Sequence, residues 1–196
     1  MSLLCVALLG WWSWSRSVSG AGHAFDATLA GIATTQPIKA GSFAVFGSVA
    51  LRNIEDHPVH LQSVEPVYAD NVSVANTGIS PYGPNVPLSN IDVHVSGASE
   101  IPGFVVPPSS RITDHLYGVT IEVRLNPGAH AGVVIGLDVR YRDGTRARTQ
   151  RFSMVNVVCR WIGEVPDPCP TTYRGRDVYH ANPAEVVEEF AARGRD

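Results

Sequence analysis

At 196 residues the chain is long enough for one domain with its own core and too short for two full domains once its ends are set apart. Hydrophobic residues make up 44% and charged residues 17%, below the roughly 25% charge of an average soluble domain, which excludes a disordered chain. The net charge is −3 and Lys39 is the only lysine among 15 basic residues, so bulk charge gives no basis for nucleic-acid binding.

Residues 3–14 (LLCVALLGWWSW) form an uncharged apolar run of the length of a secretory signal core, shorter than the roughly 20 residues that span a bilayer. Small residues follow at Ser17, Ser19, Gly20, Ala21, Gly22 and Ala24, a setting for cleavage, while Trp11, Trp12 and Trp14 suit a membrane interface if the segment is retained. No basic side chain precedes the run, which leaves open a start upstream of Met1. Cys5 lacks the small preceding residue of a lipoprotein signal.

From Ala40 onward the pattern has period two. Phe43, Val45, Val49 and Leu51 share a face, with Phe46 as the exception. The polar turn 53–58 follows, then Val59, Leu61, Val64 and Val67, whose change of parity near Ser63 predicts a bulge. The two runs read as a hairpin. Its Asn53, acidic turn, Pro58, Val59 and Leu61 resemble a hairpin of immunoglobulin-like modules in secreted or membrane-anchored bacterial proteins. Over these 25 or so residues the resemblance implies a fold and a compartment, and carries no active-site residue.

Residues 70–88 read as a long surface loop suited to binding. Strands are expected at Ile91, Val93 and Val95, and at Val119, Ile121, Val123 and Leu125. Val133, Ile135, Leu137, Val139 and Tyr141 read as one face of a strand entering a turn at Arg142-Asp143-Gly144. A two-residue Asp-Gly turn would set Arg146 and Arg148 against Tyr141 and Val139. The expected form is therefore a three-residue loop pairing Tyr141 with Thr145, Asp138 with Arg148 and Arg140 with Arg146.

Cys159 and Cys169 are spaced for a disulfide across a loop with Gly163, Pro166 and Pro168. Asn182, Pro183 and Glu185 form a capping-box start for the one convincing helix, whose Val186, Val187, Phe190 and Ala191 make a single stripe that must dock, on its own sandwich or on a partner. The chain thus divides into a signal or anchor segment over 1–24, a β domain over 25–160, an extended Pro-rich stretch with the disulfide loop over 161–181 and a helix over 182–194. The fold class expected is all-β: an immunoglobulin-like two-sheet antiparallel sandwich with one short C-terminal α-helix.

The chemistry is sparse. His57, His60 and His94 are the weak metal candidates, two of them on polar strand faces. A blue-copper set built on Met154 and Cys159 has no histidine nearby, and Asp114-His115 has no serine elbow to serve. No phosphate loop is present, and no cofactor is implied. The densest charge is Arg140, Arg142, Arg146 and Arg148, continued by Arg151 and Arg160; the like-charge pairing of Arg140 with Arg146 points to an anionic partner. The function expected is a non-enzymatic extracytoplasmic binding or structural module, secreted or membrane-anchored, that meets an envelope protein or an anionic envelope component. The alternative is a copper- or zinc-handling protein using its histidines.

Overall fold

Valine, isoleucine and threonine crowd the middle of the chain, and their branched side chains favour the extended backbone found there. The computed structural model describes residues 23–26, 32–81, 89–91, 98–109, 116–161 and 169–193. Among them run β1 (Ile32–Ile38), β2 (Ala44–Leu51), β3 (Val59–Asp70), β4 (Val72–Pro81), β5 (Ser89–Ile91), β6 (Val105–Val106), β7 (Tyr117–Leu125), β8 (Ala131–Asp143), β9 (Arg146–Arg160), β10 (Thr172–Tyr173), β11 (Arg176–Asp177) and α1 (Pro183–Arg193). The apolar run 3–14, residues 82–88, Val93, His94, Val95, Asp114, His115 and Gly194 lie outside the described residues. No helix among those described is long and apolar enough to cross a membrane.

The described residues are all-β with one short C-terminal helix. One sheet has the order β1-β9-β8-β3-β6 and the other β4-β7-β2-β5, while β10 and β11 form a separate hairpin. Contrary to a purely antiparallel expectation, the first sheet is mixed, because β1 runs parallel to β9 from Ile32 opposite Met154 to Ile38 opposite Arg160. Phe46, Val49, Ile121 and Val123 of one sheet join Leu61, Val139, Tyr141 and Phe152 of the other in a single inter-sheet core.

Two bulges correct the expected faces. The register of β2 slips between Gly47 and Val49, so Ala44 and Phe46 enter the core together with Val49 and Leu51. Phe43 instead lies under the Arg124 guanidinium, 5.2 Å from its ring centroid. The second slip, between Ile135 and Leu137, is made at Gly136, whose φ of 65° suits glycine. Leu137, Val139 and Tyr141 therefore belong to the inter-sheet core, whereas Val133 and Ile135 face the other way. The bulge expected near Ser63 is present, between Leu61 and Ser63.

The expected β2–β3 hairpin does not form: β2 pairs with β7 and β5, and β3 with β8 and β6, so residues 53–58 cross from one sheet to the other. Asn53 fixes that crossing. It is fully buried, its Nδ2 donates to the carbonyls of His57 at 2.8 Å and Val106 at 3.0 Å, and its Oδ1 accepts from the Glu55 N–H at 3.0 Å. Nor is 70–88 one loop. Asn71, at φ 58°, turns β3 directly into β4, which pairs with β7 from Val72 opposite Leu125 to Pro81 opposite Tyr117. That corner closes tightly on Gly132, where a Cβ would come within 2.8 Å and 2.9 Å of the Asp70 and Asn71 carbonyl oxygens.

A second core lies on the outer face of the five-stranded sheet. Val133, Ile135, Val155 and Val157 are covered there by Val186, Val187 and Phe190 of α1. The helix begins as its residues dictate, with the Ala184 N–H donating to Asn182 Oδ1 at 3.0 Å and Pro183 in the first turn. It docks on its own sheet, its Phe190 ring edge-on to Tyr68 at 5.0 Å. Cys159 and Cys169 sit at disulfide distance, with Cα atoms 5.4 Å apart, and tie β9 to the segment leading to the helix.

Candidate functional site

Beyond α1 the same outer sheet face is open to solvent and carries charge. His60 and Glu65 come from β3, Asp138, Arg140 and Arg142 from β8, and Thr149 and Arg151 from β9, brought side by side by the ladder. The register differs from the expected three-residue loop. Asp143 pairs with Arg146 around a two-residue turn, with Gly144 at φ 57° in its first position. Arg140 thus stands opposite Thr149, not Arg146, and Asp138 opposite Arg151, not Arg148. The like-charge clash that pointed to an anion does not exist.

The physical reason lies at the end of the strands. There the inner face runs past the core, so Arg148, 31% exposed, makes an ion pair with Asp143 at 3.0 Å and escapes the burial cost assumed for it. The inner position opposite Val139 is filled by Gln150, fully buried, which donates to the Phe25 carbonyl at 2.8 Å and accepts from the Phe25 N–H at 3.1 Å. Phe25 in turn meets Tyr141 edge-on at 5.1 Å, and the Tyr141 hydroxyl accepts from the Ala24 N–H.

The arginines divide into two groups. Arg151 donates to both oxygens of Asp138 at 2.8 Å and 2.7 Å, and Arg140 lies 3.4 Å from Glu65, an exposed pair worth about 0–1 kcal/mol. Arg142 and Arg146 are exposed and have no carboxylate partner among the described residues.

His57 reaches the end of β8 from the β2–β3 crossing. Its Nε2 lies 2.6 Å from Asp143 Oδ1 and its Nδ1 2.8 Å from Asp56 Oδ1. Hydrogen bonds to Asp56 and then Asp143 favour the imidazolium and raise its pKa above 6.5. Asp56 is correspondingly lowered, first by its hydrogen bond to His57. A carboxylate on each ring nitrogen favours the charged, doubly donating form of His57, and His60 stands apart, exposed on the outer face. Among the described residues no three histidine, cysteine or carboxylate groups are placed to hold a metal.

Sequence reasoning missed a second polar cluster that pins the C-terminal segment. The Asp70 carboxylate accepts from Tyr173 at 2.8 Å and pairs with Arg174 at 2.5 Å, while Tyr173, buried in the helix-side core, has its pKa pushed up to about 12 by burial and then by Asp70. Asn71 Nδ2 adds a bond to the Tyr173 hydroxyl at 3.1 Å. The signal available was the pairing of Asp70-Asn71 with Tyr173-Arg174, which no local spacing links.

Compared with known protein families, with curated proteins and with solved structures, the chain finds no match in any of the three.

Proposed function

We propose that this chain is an immunoglobulin-like, non-enzymatic module that works outside the cytoplasm and meets an anionic envelope surface through the uncovered, arginine-bearing end of its five-stranded sheet. Strand order supports the fold. β2, β7 and β4 neighbour one another as B, E and D do, and β3, β8 and β9 as C, F and G do. Two departures stand beside it: the place of strand A is taken by β5, which follows β4, and neither β2 nor β8 carries the cysteine of an inter-sheet bridge. The compartment rests on the apolar run 3–14 and on the Cys159–Cys169 pair, since disulfides persist where the surroundings are oxidising.

The observation that carries the contact surface is the pair Arg142 and Arg146, unmatched by carboxylate at the exposed tip of β8–β9 while neighbouring Arg140, Arg148 and Arg151 are each matched. Such a surplus attracts anionic headgroups at about 1 kcal/mol per basic side chain. Co-sedimentation with vesicles containing phosphatidylglycerol, set against pure phosphatidylcholine, tests it. The wild type pellets with the anionic vesicles and a paired Arg142→Glu, Arg146→Glu variant does not; equal recovery of both proteins refutes the reading.

A further inference from the structure

A different basic feature lies where β1 turns into β2. Lys39, Ala40, Gly41 and Ser42 make a tight turn, with the Ser42 N–H donating to the Lys39 carbonyl at 3.1 Å and Gly41 at φ 84° in the third position, which a side chain would strain. The turn faces Arg124 of β7 and Arg160 at the end of β9 across a cleft of about 160 Å³. Among the described residues no carboxylate lines that cleft. At roughly 30 Å³ per water it has room for an oxyanion with a short stem.

Two of the three cations, Lys39 and Arg124, are braced by neighbouring side chains. Lys39, the one lysine of the chain, places its Nζ 5.1 Å from the Trp161 ring centroid. Arg124 is braced by Glu122 at 2.8 Å and by the Phe43 ring. The main chain of Arg160 is fixed by its N–H bond to the His130 carbonyl at 2.8 Å, while its side-chain Nε has no acceptor among the described residues. The Trp161 indole N–H beside it shares that condition. Lys39 and Arg160 have no carboxylate partner among the described residues and Arg124 has Glu122 alone, so the cleft keeps a positive surplus that suits an anion.

We infer that this cleft binds a small tetrahedral oxyanion of the phosphate class, gripped by Lys39 and Arg160 with Arg124 supplying field and one wall. Two positive groups without a carboxylate, Lys39 and Arg160, beside an Arg124 shared with Glu122, fit the charge of a phosphate better than the single charge of a carboxylate. The site stands at a different place from the Arg142–Arg146 tip and does not rest on the role assigned there.

Titration calorimetry of the full chain with inorganic phosphate, and separately with acetate, reads the first arm. Lys39→Gln and Arg160→Gln should each weaken phosphate binding at least about tenfold, whereas the Arg142→Glu, Arg146→Glu variant binds as the wild type does. Lys39 is exposed, so Lys39→Gln keeps its fold and its unfolding midpoint even if Arg160→Gln does not. The second arm uses phosphatidylglycerol vesicles. Retention that is lost in the double Lys39→Gln, Arg160→Gln variant, with no response to free phosphate, assigns a lipid headgroup as the source. Acetate bound as tightly as phosphate overturns the tetrahedral class, and wild type and double variant alike in both arms overturn the site.

Discussion

The outer face of β8 and β9 is two surfaces in one. At one end Val133, Ile135, Val155 and Val157 lie sealed under α1; at the other Asp138, Arg140, Arg142 and Arg151 stand in solvent. The same strands pass through both, and the difference is written in their period. The stretch GVVIGL is buried without interruption, as a strand covered on both sides must be, whereas DVRYRD alternates as a strand covered on one. Gly136 stands at the change-over, where its bulge moves the inward parity from even to odd numbers. Helix cover ends where two-sided apolarity ends, so an open polar face is a property of the strands before any partner is considered.

The sharpest way to break this contrast is to strip the covered end. Phe190 is fully buried against Tyr68, and Phe190→Ala should lower stability by about 3–4 kcal/mol in denaturant unfolding while leaving vesicle binding by the folded protein intact. A loss below about 1 kcal/mol would mean that the helix is an ornament rather than a cover. Next comes the boundary itself. Gly136→Ala puts a Cβ at positive φ and 2.9 Å from both Val187 Cγ1 and Val67 Cγ2, for an expected loss of about 2–3 kcal/mol by the same measurement. A neutral outcome would place the bulge elsewhere.

The smallest effect concerns the open end. His57 is raised above 6.5 by Asp56 and Asp143, so its contribution to stability is complete below that value and fades as pH climbs through the raised one. Unfolding midpoints of wild type and His57→Gln should therefore differ most in mild acid and converge in alkali. A gap constant across that range would show that the carboxylates do not hold the ring.

Much of the architecture could be read from residue order, and the failures have physical causes. The helix was legible because its cap, Asn182, and its stripe are local. The cysteine pair was legible because ten residues separate its members. β4 was hidden: a register slip between Val74 and Asn76 breaks its alternation, and only Ile79 and Ser80 are buried along it. β1 was hidden too, since a parallel partner 122 positions away leaves no turn signal between them. The arginine register went astray because Arg148 was costed as if the core extended to the strand ends, and the cleft of Lys39, Arg124 and Arg160 draws on three distant segments that no spacing joins.

Gln150 brackets both backbone groups of Phe25, and Tyr141 receives the N–H of Ala24. Under the proposed role outside the cytoplasm, with the apolar run as a leader, these bonds limit where that leader could be cut. A break on either side of Ala24 would place a new ammonium on a buried residue, whereas a break ahead of the exposed His23 leaves both inner peptide links whole and lets the trimmed end seal the sandwich like a stopper.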